Sequence, residues 1–218
     1  MSRISLLTVA VFLVGAGIGS WAQAPGPAIS PRQFAADLAR QGVPGGIVVA
    51  QREIGHASVR AQPADAAKQR AAVVAAVNGF NAIGSAYKAT EANGFVHVRS
   101  VSEPPDLRLA LDREVKIDGA SGLPAQDAVF MRVVKALSGK EPAGIIGTGT
   151  FPGPECPLTR PVRLTPGSTS ATRMLDEIVK QVPGLMWFIT YDTDAPHYGL
   201  QVGLLCGDGS TVGITVFP

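Results

Sequence analysis

Amphipathic helical stretches alternating with short apolar strands predict an α+β fold. It is built of repeated β-α-β-β units whose amphipathic helices pack on small mixed or antiparallel sheets. Three observations carry this expectation. Pro-Gly and Asn-Gly pairs punctuate the apolar runs. Helix-start residues stand ahead of the helical runs. The order helix, glycine, strand, turn, strand occurs in residues 71–100 and again in residues 173–204.

The chain opens with a leader. Arg3 gives a short positive region, Leu6 to Ile18 is apolar, and Ala22-Gln23-Ala24 fits the small-x-small cleavage rule. Residues 1–24 therefore read as a signal peptide, and the protein as exported, periplasmic or secreted. An uncleaved N-terminal anchor is the rival reading, although the apolar core is short for a membrane span and a Pro-Gly-Pro linker follows it. After cleavage the protein is not expected to be integral to a membrane.

Residues 25–140 hold three helices. The first, near 30–41, starts with Ser30 as N-cap, Pro31 at the first helical position and Gln33 closing a capping box, with Ile29 stapled to Phe34. Gly42 ends it, and Ile47-Val48-Val49 follows as a strand. The second, near 65–78, starts at Asp65 and stops at Asn78-Gly79. A hairpin follows, with strands at Ala86–Ala89 and Phe95–Val98 around an Asn93-Gly94 turn. The third, near 124–137, comes after a short strand at Val115-Lys116-Ile117 and carries Phe130, Val133, Val134 and Leu137 on one face.

Residues 141–161 are a Gly- and Pro-rich connection, read as an ordered loop pinned by Cys156. Residues 162–218 form a β-α-β-β-β module. Strand Val162-Arg163-Leu164 leads to a helix from about Thr169 to Val182, with Met174, Leu175, Ile178, Val179 and Val182 in one stripe. Pro183-Gly184 ends the helix. Strands follow over Leu185–Tyr191, Gly199–Cys206 and Thr211–Phe217, with a turn from Asp192 to His197 between the first two. Two of these units share a lead-in, VKIDGASGLPAQDAVFMRVVKAL against VRLTPGSTSATRMLDEIVKQV.

The spacing over 71–99 and 162–191 resembles the short N-terminal domain shared by secretins and TonB-dependent receptors, as a stand-alone exported module. The resemblance rests on hydrophobic spacing and turn glycines, not on catalytic residues. It implies a small periplasmic α+β module whose job is contact with another protein. No long array of amphipathic strands follows, so receptor signalling and pore assembly do not carry over.

Charge and chemistry narrow the function. Lys+Arg number 19 and Asp+Glu 17, and no Lys/Arg run could track a phosphate backbone, which argues against nucleic acid. Cys156 and Cys206 are the two cysteines, and in an exported chain they read first as one disulfide. A nucleophilic or metal-binding thiol is the alternative. His97 alternates with Val96 and Val98 and reads as solvent-facing, and His56 reads as a loop residue. Asp192, Asp194 and His197 form the weak metal or acid–base candidate, against an ordinary Asp/Pro-shaped turn. Gly147–Gly153 lacks the Gly-Lys-Ser/Thr of a phosphate loop, and Ser121 lacks a nucleophile-elbow frame.

Trp187, Tyr191 and Tyr198 crowd the last unit and read either as internal packing or as an interaction surface. The resulting expectation is a non-enzymatic envelope module without a cofactor, binding a cell-envelope protein through sheet edges or these aromatics. A small metal-dependent or acid–base hydrolase and a carbohydrate-binding module that stacks sugars on exposed tyrosines are the alternatives.

Overall fold

The computed structural model describes residues 31–50, 65–82, 87–138, 147–148, 156–192 and 199–216. They form an α+β fold in which the repeated units merge their strands into one mixed sheet. Along the chain run α1 (Pro31–Arg40), β1 (Gly45–Ala50), α2 (Ala66–Ala82), β2 (Tyr87–Ala92), β3 (Phe95–Ser100) and α3 (Pro105–Asp112). Then come β4 (Val115–Ile117), β5 (Ala120–Pro124) and α4. The last of these is helical over Ala125–Ala128, widens into a π-helical turn over Val129–Val133, and closes as Val134–Ser138. The chain continues through β6 (Gly147–Thr148), β7 (Pro161–Leu164), β8 (Gly167–Thr169), α5 (Ala171–Gln181), β9 (Leu185–Tyr191), β10 (Leu200–Cys206) and β11 (Thr211–Val216).

The large sheet has the order β2-β3-β1-β9-β10-β11-β6, the last member being only two residues long. Strand β1, third in that order, is parallel to both β3 and β9, and every other pair in this sheet is antiparallel. Strands from before and after the Gly/Pro-rich connection are thus neighbours. Both faces of the sheet are covered. On one, Phe34, Leu38, Val73 and Val77 of α1 and α2 pack on Ile47, Val49, Val96, Val98, Met186 and Phe188. On the other, Leu107, Phe130, Val133, Met174 and Ile178 of α3, α4 and α5 pack on Val48, Trp187, Ile189 and Tyr191. Every residue of β1 and β9 is buried, in keeping with sequences that are apolar apart from Thr190.

Local signals act as the sequence expects. The Asp65 carboxylate accepts from the Ala67 N–H at 2.8 Å, capping α2. Asn93 and Gly94 take φ of 53° and 85°, both left-handed, and fold the β2–β3 hairpin. Helix α5 begins at Ala171 and not at Thr169, because Ser170 is its cap, accepting from the Arg173 N–H at 3.3 Å.

Helix α2 runs past Asn78-Gly79, because Asn78 is used sideways. Its side-chain amide accepts from the Ala89 N–H and donates to the Ala89 carbonyl, both at 2.9 Å. Asn78 thereby takes up the backbone groups of Ala89 in the middle of the edge strand β2. Helix α3 was not expected. Pro105 at its first turn tolerates the missing N–H, and Leu107 and Leu111 are buried beneath it.

The shared lead-in has a structural counterpart. Two small antiparallel ribbons form, β4 with β8 and β5 with β7. Lys116 stands opposite Ser168 and Ile117 opposite Gly167; likewise Arg163 stands opposite Ser121 and Leu164 opposite Ala120. Aligning VKI with VRL converts one set of pairs into the other, so the two lead-ins exchange strands about a local pseudo-twofold. The symmetry breaks at Gly122, where the β5–β7 register shifts and Gly122 adopts φ of 79°.

Candidate functional site

Beneath α5, three side chains from three elements meet on one carboxylate. His97 of β3 pairs with Gly46 of β1, and Gly46 pairs with Trp187 of β9, so the three lie in one row across the sheet. A Cβ on Gly46 would fall within the indole ring, so glycine here lets Trp187 lie flat across β1. The Trp187 and His97 rings come to 5.6 Å between centroids at 42°. Asp176, from the inner face of α5, completes the set. Trp187 Nε1–H donates to its Oδ1 at 2.9 Å, and His97 Nε2 lies 2.9 and 3.0 Å from its two oxygens. With Asp176 ionised, Nε2 carries the proton and donates.

His97 is therefore not solvent-facing. Its side chain is 12% exposed, as is that of Asp176. Alternation assigned it correctly to the face opposite Val96 and Val98, but α5 covers that face. An Asp–His pair is the kind of pair that orients a general base. Here both carboxylate oxygens are occupied by the imidazole and the indole, which ties β3, β9 and α5 together.

A second polar cluster extends the same face. Arg99 of β3 bridges Glu103 at 3.2 Å and Asp112 at 3.2 Å. Thr172 of α5 joins Asp112 at 3.1 Å. Arg108 Nε reaches Glu103 at 3.4 Å, and the Glu103 side chain is fully buried. Burial pushes the Glu103 carboxyl above its ordinary pKa, against the opposing pull of Arg99 and Arg108. The Tyr191 hydroxyl meets Ser102 Oγ at 3.3 Å.

Trp187 and Tyr191 are 0% exposed, which decides between the two readings for them in favour of internal packing and against an interaction surface. Internal packing accounts for both, and Tyr191 is not available for stacking a sugar. Tyr198, Asp194 and His197 lie outside the described residues, as does His56. Asp192 is described, and its N–H donates to the Gly199 carbonyl at 3.3 Å. Among the described residues no group of three or more His, Cys, Asp or Glu gathers to hold a metal. Cys156 and Cys206 form a disulfide, Cα to Cα 5.7 Å, fastening the segment before β7 to the end of β10. Such a bond is consistent with an oxidising, extracytoplasmic setting. Among the described residues no helix is long and apolar enough to cross a membrane.

The open surface lies beside α5. A cleft of about 430 Å³ runs between α5, the β7–β8 turn and the tip of the β2–β3 hairpin. Phe95, Ile117, Leu164 and Met174 give it an apolar floor, and Arg173, Glu177 and Lys180 edge it. A second cleft of about 250 Å³ shares Asn93, Phe95 and Lys180 with it and continues to Pro183, Gly184 and Leu185. The two form one track along α5. Sequence reasoning placed the elements that line it, the Asn93-Gly94 turn and the helix ending at Pro183-Gly184 among them, but missed the track because the lining comes from four separated segments.

Comparison with protein-family models, with curated proteins and with solved structures found no match.

Proposed function

We propose that this protein is an exported, non-enzymatic module of the cell envelope that holds an extended segment of another envelope protein in the track along α5. The continuous groove, apolar at its floor and charged at its edge, carries this reading. That composition is typical of a protein-binding surface with a dry centre and a wet rim. Support for a non-catalytic role comes from Asp176, whose oxygens are both engaged in joining the sheet to α5. The leader, the disulfide and the resemblance to the secretin and TonB-receptor N-terminal domain support the compartment and the class of partner.

Charge reversal on the rim tests the proposal without touching the core. Arg173→Glu with Lys180→Glu should abolish co-purification of the envelope partner while the circular dichroism spectrum stays that of the parent. Unchanged partner recovery in that double variant would refute the assignment of the groove.

A further inference from the structure

A separate cleft of about 210 Å³ lies where the end of α3, strand β4 and the middle of α4 converge. Its lining brings together Arg113, Lys116, Arg132 and Lys135, with Asp118 as the single carboxylate. These cations are scattered over four positions in two stretches of sequence, so no basic run announces them. The chain as a whole carries a formal net charge of only +2, which makes this concentration local.

The site has a built geometry. Arg113 is held toward α4 by donating Nη2–H to the Ala136 carbonyl at 3.3 Å. Arg132 sits in the π-helical turn Val129–Val133, and its Nε is buried without a hydrogen-bond partner among the described residues. The π turn interrupts an otherwise regular helix at Arg132, a residue that lines the cleft, and such turns recur at functional sites. Val115, Ile117 and Ala136 supply an apolar floor. Low-polarity walls strengthen each cation's field on a bound anion.

We propose that this cleft binds the phosphoryl group of a phosphomonoester. Two guanidiniums present forked N–H pairs suited to a tetrahedral oxyanion, and two ammoniums add charge that a dianion matches better than a single carboxylate does. The volume admits a phosphate with a small attached group. Such a group could come from a soluble phosphomonoester or from a lipid headgroup.

The test is calorimetric titration of the full protein with inorganic phosphate and with glycerol 3-phosphate, against chloride at matched ionic strength. Saturable binding is expected, with a Kd on the order of 1 mM or tighter. Arg132→Gln and Lys116→Gln should each weaken it about tenfold, the loss of one charged donor. Lys68→Gln, on an exposed turn of α2, should leave it unchanged. Lys116 lies at an exposed strand position, so its variant keeps the test decisive if Arg132→Gln fails to fold. Co-sedimentation with phosphatidylcholine vesicles containing phosphatidic acid, but not with equally charged phosphatidylglycerol vesicles, would assign a lipid source. Binding of glycerol 3-phosphate without vesicle binding would assign a soluble one. Absence of saturable phosphate binding, or binding indifferent to both Arg132→Gln and Lys116→Gln, would overturn the proposal.

Discussion

Gly46 and Trp187 face each other across neighbouring parallel strands, and the indole fills the space that a side chain on Gly46 would need. This one relationship lets Trp187 lie over the sheet centre and deliver its N–H to Asp176. Gly46→Ala should therefore destabilise by about 3 kcal/mol or more through overpacking and displacement of the ring. Urea denaturation followed by Trp187 fluorescence measures it. A variant within 0.5 kcal/mol of the parent, roughly the spread of neutral surface changes, would contradict the packing described.

Asp176 separates charge from hydrogen bonding. Asp176→Ala leaves the buried Trp187 N–H without an acceptor and should cost about 3 kcal/mol. Asp176→Asn keeps an oxygen for the indole and should cost about half as much. Equal losses in the two variants would mean that the indole bond contributes nothing.

Glu103 should make stability depend on pH. Its folded pKa lies above the unfolded value because burial disfavours the carboxylate. The unfolded chain thus releases this proton more readily. The stabilisation associated with protonated Glu103 is complete below the ordinary glutamate pKa and is lost as pH rises through the raised folded value. Glu103→Gln should remove that decline, so the variant gains on the parent as pH climbs from the ordinary glutamate pKa toward neutrality. Denaturation midpoints over that range would show it. Parallel pH profiles for the two proteins would count against a buried, raised Glu103.

The Cys156–Cys206 disulfide closes a loop spanning 50 residues of sequence separation. Its loss should cost about 4 kcal/mol in the chain-entropy model. Comparing the Cys156→Ser/Cys206→Ser variant with the oxidised parent in guanidinium gives the figure. Indistinguishable midpoints would show that the bond does not constrain the chain.

Local chemistry made much of this fold legible. Asp65 and Asn93-Gly94 act within a few residues of themselves, so that cap and that turn follow from sequence alone. The likeness of VKI and VRL was visible too. That the two stretches exchange partners was not, because strand pairing is set by where α4 and α5 pack. His97 was misread for a related reason: alternation gives a face, and only the tertiary arrangement says that a helix covers it. Helix α3 was hidden by Glu103-Pro104-Pro105, which looks like a break but begins a helix at its second proline. The track along α5 and the cationic cleft both draw on separated segments, beyond the reach of any local pattern.

The most direct measurement is site-specific photo-crosslinking in intact envelopes. A photoreactive residue is placed at Glu177 or Lys180 on the α5 track, and at Lys68 on the opposite helical layer as control. The expected result is one protein adduct, identified by mass spectrometry, formed from the α5 positions, lost when Arg173→Glu is added, and absent from position 68. No adduct from α5, or equal capture from position 68, would contradict a protein-binding role for this groove.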